Sequence, residues 1–206
     1  MRTIPLTLGL GLLMFAWAGP LPALAAHSFA AHMTLHMTVV AVVAPLLALS
    51  LARGVRVPPA LPRLMGPMQA CLVELVVVWM WHVPAFHDAA RLRAGAFVLE
   101  QASFLGTGVL LWMTACVRDP ARAGSGVVAL LLTSMHMTVL GVLFATATRP
   151  PFHYAGSEAA AVTDVHLGGA IMLLVGGAAY LTGGLWLLSV VLRPQPHLVH
   201  RGVPPS

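Results

Sequence analysis

The sequence predicts an all-α membrane protein, a polytopic helical bundle of five or six transmembrane helices. Composition is the first ground: 59% of the 206 residues are hydrophobic and 8% charged, and a mean hydropathy of +0.88 lies outside the range of soluble domains. The second is run length. Crossing ~30 Å of hydrocarbon takes ~20 helical residues, and apolar runs of that size fall at roughly 4–25, 29–52, 66–86, 96–116, 126–148 and 165–192. The third is punctuation, because the breaks between the later runs are rich in Pro, Gly and charge, as turns are.

The first run is ambiguous. "MRT", an apolar stretch and Ala23-x-Ala25 before His27 describe a signal peptide as well as a membrane helix, so residues 1–26 are one or the other. Residues 27–192 form the bundle of five spans, and 193–206 a cytoplasmic tail. The breaks are "RGVRVPPALPR" (53–63), "FHDAARLRAG" (86–95), "RDPARAGSG" (118–126) and "RPPFHYAGSEAAAVTD" (149–164). With the N-terminus inside, Arg2, Arg53, Arg56, Arg63, Arg118, Arg122, Arg193 and Arg201 are cytoplasmic, against Arg91, Arg93 and Arg149 outside. That bias follows the rule that arginine stays in. Scattered over loops, these arginines make no basic face, and nucleic-acid binding is excluded.

This topology sorts the histidines. His27, His32, His82, His87, His153 and His166 lie at or just inside the outer boundary, with His36 and His136 deeper, at ~10 Å and ~18 Å by the rise of a helix. In "HMTLHMT" (32–38), His32, Met33, His36 and Met37 fall within ~140° of arc. Imidazole with thioether suits a soft cation, Cu(I) above all. "SMHMT" (134–138) repeats the chemistry on a second span, with His136 and one of Met135 or Met137 able to face a partner. Membrane methionines usually serve packing, whereas an imidazole inside hydrocarbon needs a hydrogen bond or a metal. His27, His87 and His153 sit in wetter stretches that suit solvated surface residues.

Six acidic residues accompany them. Asp88 and Asp164 lie beside His87 and His166 and can orient metal-bound rings, although Asp164 also suits a helix N-cap. Glu74 lies within the third run, protonated or paired, with no role to assign. Cys71 and Cys116 are packing residues on the reducing side. Neither a phosphate-cradling loop nor a nucleophile motif is present, so no catalytic role is expected.

Four stretches then carry a resemblance: "HMTLHM" leading to Pro45, "WMWHVPAFHDAA" (79–90), "LEQASFLGTGVLLW" (99–112) and "VTDVHLGGAIM" (162–172). In order and spacing they resemble the CtaG-type family of polytopic cytochrome c oxidase assembly proteins. Matching positions are His32, Met33 and His36; Trp81, His82, Pro84, Asp88 and Ala89; Glu100, Phe104, Gly108 and Trp112; Asp164, Leu167, Gly168 and Gly169. The chain departs at His87, where the family usually has Tyr, at Gln101, where His often follows the Glu, and at Val165–His166, where "QQ" is usual. It is also about one span shorter than the longer members. The resemblance implies a bacterial inner-membrane protein that helps assemble haem-copper oxidases, with oxidase subunits and membrane lipid as partners and copper handled on the outer face. The expected copper ligands are His32, His36, His82 and His136, then Met33, Met37 and His166, with Asp88 and Asp164 orienting them. A haem b carrier clamped by His36 and His136 and a metal-free scaffold for oxidase subunits are the alternatives.

Overall fold

The computed structural model describes residues 3–52, 65–116, 120–152 and 157–193, all-helical with no strand among them. His153, His197, His200 and Asp119 lie outside these residues, as do the 53–63 stretch and the tail beyond Arg193. In chain order the helices are α1 (Thr3–Ala18), α2 (Leu21–Ala25), α3 (Phe29–Met37) and, after a π-helical segment (Thr38–Val43), α4 (Ala44–Ala52). Then come α5 (Pro67–Trp81), α6 (Pro84–Leu92), α7 (Ala94–Ala115), α8 (Pro120–Ala145) and α9 (Glu158–Ile171). A second π-helical segment (Met172–Gly177) leads to α10 (Ala178–Val191). Phe29–Leu51, Ala94–Ala115, Ala123–Ala145 and Glu158–Val191 are long and apolar enough to cross a membrane, and α5 with α6 makes a fifth if the bent pair is one span.

Proline accounts for most departures from straight spans. The run over 4–25 breaks at Gly19–Pro20, because Pro20 lacks an N–H and disfavours helix at the residue before it; α1 is left with 16 residues. Pro45 bears on the π-helix in the same way. Its ring crowds the carbonyl four residues back, and the turn just before it widens, so that the Ala44 N–H bonds the Val39 carbonyl. The stretch 66–86 is likewise not one straight helix. Val83 is held extended (φ −67°, ψ 133°) before Pro84, and the chain bends by 74° between α5 and α6.

Two expected breaks turn out partly helical. Most of 86–95 forms α6, and 158–164 opens α9, where the Ser157 hydroxyl accepts from the Ala160 N–H and a run of alanines supplies helix propensity. Close packing then comes from glycine. A Cβ at Gly169 would strike the backbone of Ala145 and lie 2.7 Å from the Gly141 carbonyl oxygen, so α8 and α9 meet backbone to backbone. Phe29, Met33 and Met37, each four residues apart, lie against the same glycine-bearing helix: a Cβ at Gly168 would overlap the Phe29 ring and one at Gly176 would lie 2.9 Å from Met37 Sδ.

Candidate metal centre

Asp164 ties the first motif to its helix partner. Its carboxylate accepts from Ser28 Oγ at 2.7 Å, from the Phe29 N–H and from the Ala30 N–H at 3.3 Å. An anion at that helix start satisfies orphan N–H groups and complements the dipole. Asp164 thus caps α3 from across the bundle, neither its own helix nor His166, and fixes the element that presents His32 and His36.

Both of those rings are buried and face α5, α6 and α7. The bend after Trp81 brings α6 over this end of the bundle, so His82 and His87 meet them. Ring centroids lie 4.6 Å apart for His32 and His87, 5.4 Å for His36 and His82, and 6.3 Å for His32 and His82. The His82 ring has a defined tautomer: Nδ1 lies 2.6 Å from the Val78 carbonyl oxygen, which can only accept, so Nδ1 carries the proton and Nε2 presents its lone pair. A ligand imidazole is commonly oriented in this way.

From α7, Glu100 adds a carboxylate that is 0% exposed. Its Oε1 lies 3.6 Å from His32 Nε2, while its Oε2 accepts from Gln101 Nε2 at 3.2 Å, and Gln101 Oε1 in turn accepts from Trp17 Nε1 at 3.2 Å. One ligand atom each from His32, His87 and Glu100 lie within 4.8 Å of one another, a spacing that a single cation can close.

Below, His136 on α8 is buried and within electrostatic range of His36. Among the described residues, neither ring nitrogen of His36 or of His136 has a hydrogen-bond partner, nor has His82 Nε2. Aromatic rings enclose the group: Phe104 lies 3.9 Å from His36, Phe144 5.6 Å from His82 and Phe152 4.0 Å from His87. Buried polar atoms without partners are costly in such surroundings, and imidazole lone pairs held this way are ready to take a metal.

The remaining expected ligands, Met33, Met37 and His166, meet other partners. Met33 and Met37 are buried against α9 and the π-segment after it, Met135 is exposed, and His166 Nε2 donates to the Ala147 carbonyl oxygen at 2.8 Å. Asp88 lies 4.0 Å from Arg91. Conversely, His87, expected to be a solvated surface residue, is 0% exposed, because the bend turns that face of α6 inward. Glu100 was recognised in sequence only through its motif; an acid one turn into an apolar run, followed by Gln, was the available signal.

The fold and this end of it define a polytopic membrane bundle with a buried histidine–carboxylate centre. Residues 1–193 match the cytochrome c oxidase caa3 assembly factor family (Caa3_CtaG), and the chain belongs to that family, as its four motifs implied. No curated protein and no solved structure matches it.

Proposed function

We propose that this assembly factor works in the bacterial inner membrane as a copper chaperone, holding copper near the outer face and assisting its delivery to a haem-copper oxidase. The observation that carries the proposal is the convergence of His32, His36, His82 and His136 from three parts of the chain, each with at least one buried ring nitrogen that has no hydrogen-bond partner among the described residues. Imidazole suits copper, and a stack of such rings at two depths lets an ion exchange between neighbours without crossing bare hydrocarbon. The partner is a subunit of the oxidase; no chemistry at the site requires a catalytic step.

Two measurements test this. Protein purified in detergent from copper-supplemented cells should carry about stoichiometric copper, the ion favoured by such nitrogen sites, and show no Soret band. A Soret band without copper would give the site to haem, and the absence of both would leave the scaffold role. In cells, His36→Ala with His136→Ala should lower active oxidase while this protein's abundance stays near wild type; unimpaired oxidase would remove the deeper histidines from the mechanism.

A further inference from the structure

We propose that His32, His87 and Glu100 form a seat for a divalent metal ion, Cu(II) in the assembly role, and that Gln101 and Trp17 are positioning residues that hold the Glu100 carboxylate toward it. This rests on the copper reading above and adds the ligands and the oxidation state. Two imidazoles and a carboxylate are a borderline-to-hard set, which suits Cu(II) or Zn(II) better than Cu(I). The thioethers that would favour Cu(I) are packed against glycines of the last span.

Three observations converge on the seat. The ligand atoms lie within 4.8 Å of one another. Glu100 Oε1 and His32 Nε2 are both buried without a hydrogen-bond partner among the described residues, and a buried carboxylate is stabilised by a cation far better than by an amide. A cleft of about 230 Å³, lined among others by Ala25, Ala26, Arg91 and Phe97, reaches His32 and Glu100. An ion therefore has a way in, and the positive charge of Arg91 at its edge is offset by Asp88 at 4.0 Å.

The positioning chain explains why Glu100 presents one oxygen. Gln101 engages Oε2, and Trp17 fixes the Gln101 amide by donating to its carbonyl oxygen. Trp17 lies on α1, so the N-terminal helix helps to build the seat. Partners of this kind around a metal ligand typically change affinity 10- to 100-fold when removed, roughly.

The test uses the full-length protein in detergent, titrated with Cu(II) and separately, under reductant, with Cu(I). Bound metal is measured after desalting and Cu(II) is followed by electron paramagnetic resonance. Wild type should retain a single Cu(II) per chain with nitrogen coupling from two imidazoles. Glu100→Gln should lose it, and so should His87→Phe, which keeps ring volume beside Phe29 and Phe152 and serves if the first variant does not accumulate. Gln101→Leu and Trp17→Phe should weaken Cu(II) about 10- to 100-fold and alter the resonance spectrum, whereas Gln101→His, which still donates, should preserve it. Cu(II) retained in Glu100→Gln but lost in the His36→Ala/His136→Ala protein would overturn the seat and leave copper handling standing. Cu(I) held more tightly than Cu(II) and indifferent to Glu100→Gln would do the same. A wild-type protein that retains neither ion would overturn the seat and the copper reading together.

Discussion

Glu74 and Glu100 are both glutamates, both 0% exposed and both inside helices that cross the bundle, yet their surroundings differ. Glu74 Oε1 accepts from the Tyr180 hydroxyl at 2.6 Å. That hydroxyl is also 3.3 Å from the Val40 carbonyl oxygen in the first π-segment, and the Tyr180 ring stacks on Trp112 at 5.5 Å. Nearby, Thr133 donates to Cys71 Sγ at 3.4 Å and Ser134 to the Gly177 carbonyl at 2.8 Å. Four spans are joined there by their own polar groups. Around Glu100, Oε2 accepts from Gln101 on its own helix, and Oε1 lies 3.6 Å from His32 Nε2 on another. One carboxylate is tied to another span by a hydroxyl; the other, in the seat proposed above, is left for a metal ion. The difference shows that burial of an acid in a membrane bundle does not by itself mark function, and that the identity of its neighbours does.

The strongest way to break this comparison is at Tyr180. Replacing it with Ala removes a fully buried ring, its stack on Trp112 and the donor to Glu74, at a cost of about 3–5 kcal/mol by analogy with other large aromatic truncations. Thermal unfolding in detergent should show a large fall in midpoint, and the protein should accumulate poorly. If stability barely changed while copper retention disappeared, the Tyr180–Glu74 cluster would belong to the functional site and the division between the two ends would fail.

Much of the fold was legible in the sequence, because run length and Pro/Gly punctuation reflect the thickness of hydrocarbon and the geometry of the helix directly. The bend at His82–Pro84 was visible as a proline but not as a structural event, since nothing local says that α6 turns back over the bundle. That is why His87 looked solvated: Asp88, Arg91 and Arg93 around it belong to a surface loop on any hydropathy count. The methionines left two readings open. Their chemistry suggested a ligand, whereas the stripe Phe29–Met33–Met37 together with Gly168 and Gly176 is a packing pattern written on two spans, legible only once the spans are paired. His32, His36, His82 and His136 do lie buried inside the bundle, as polar residues within long apolar runs are expected to.

A smaller effect is expected at Asp164, which serves the histidine end of the bundle without belonging to the group of imidazoles. Asp164→Ala removes the acceptor for Ser28 and for two N–H groups of α3, a loss of about 0.5–2 kcal/mol for a helix cap. Because α3 carries His32 and His36, copper retention should weaken along with stability. Asp164→Asn keeps an acceptor and should restore most of both. Weakened copper retention with an unchanged unfolding midpoint would move Asp164 from holding the helix to holding a ligand.

The smallest effect on stability is expected at the residue with the largest effect on metal. Glu100 brings a carboxylate into an apolar interior, where Gln101 and His32 are its polar neighbours. Removing such a charge is often neutral or favourable in the absence of its counter-ion. Glu100→Gln should therefore leave the metal-free protein's stability unchanged or raise it by up to about 1 kcal/mol, a gain of the kind seen when functional strain is relieved. Added Cu(II) should then raise the unfolding midpoint of wild type but not of the variant, since an ion stabilises only the state that binds it. A metal-free Glu100→Gln protein destabilised as strongly as Tyr180→Ala would make Glu100 a structural residue like Glu74, and the contrast between the two glutamates would disappear.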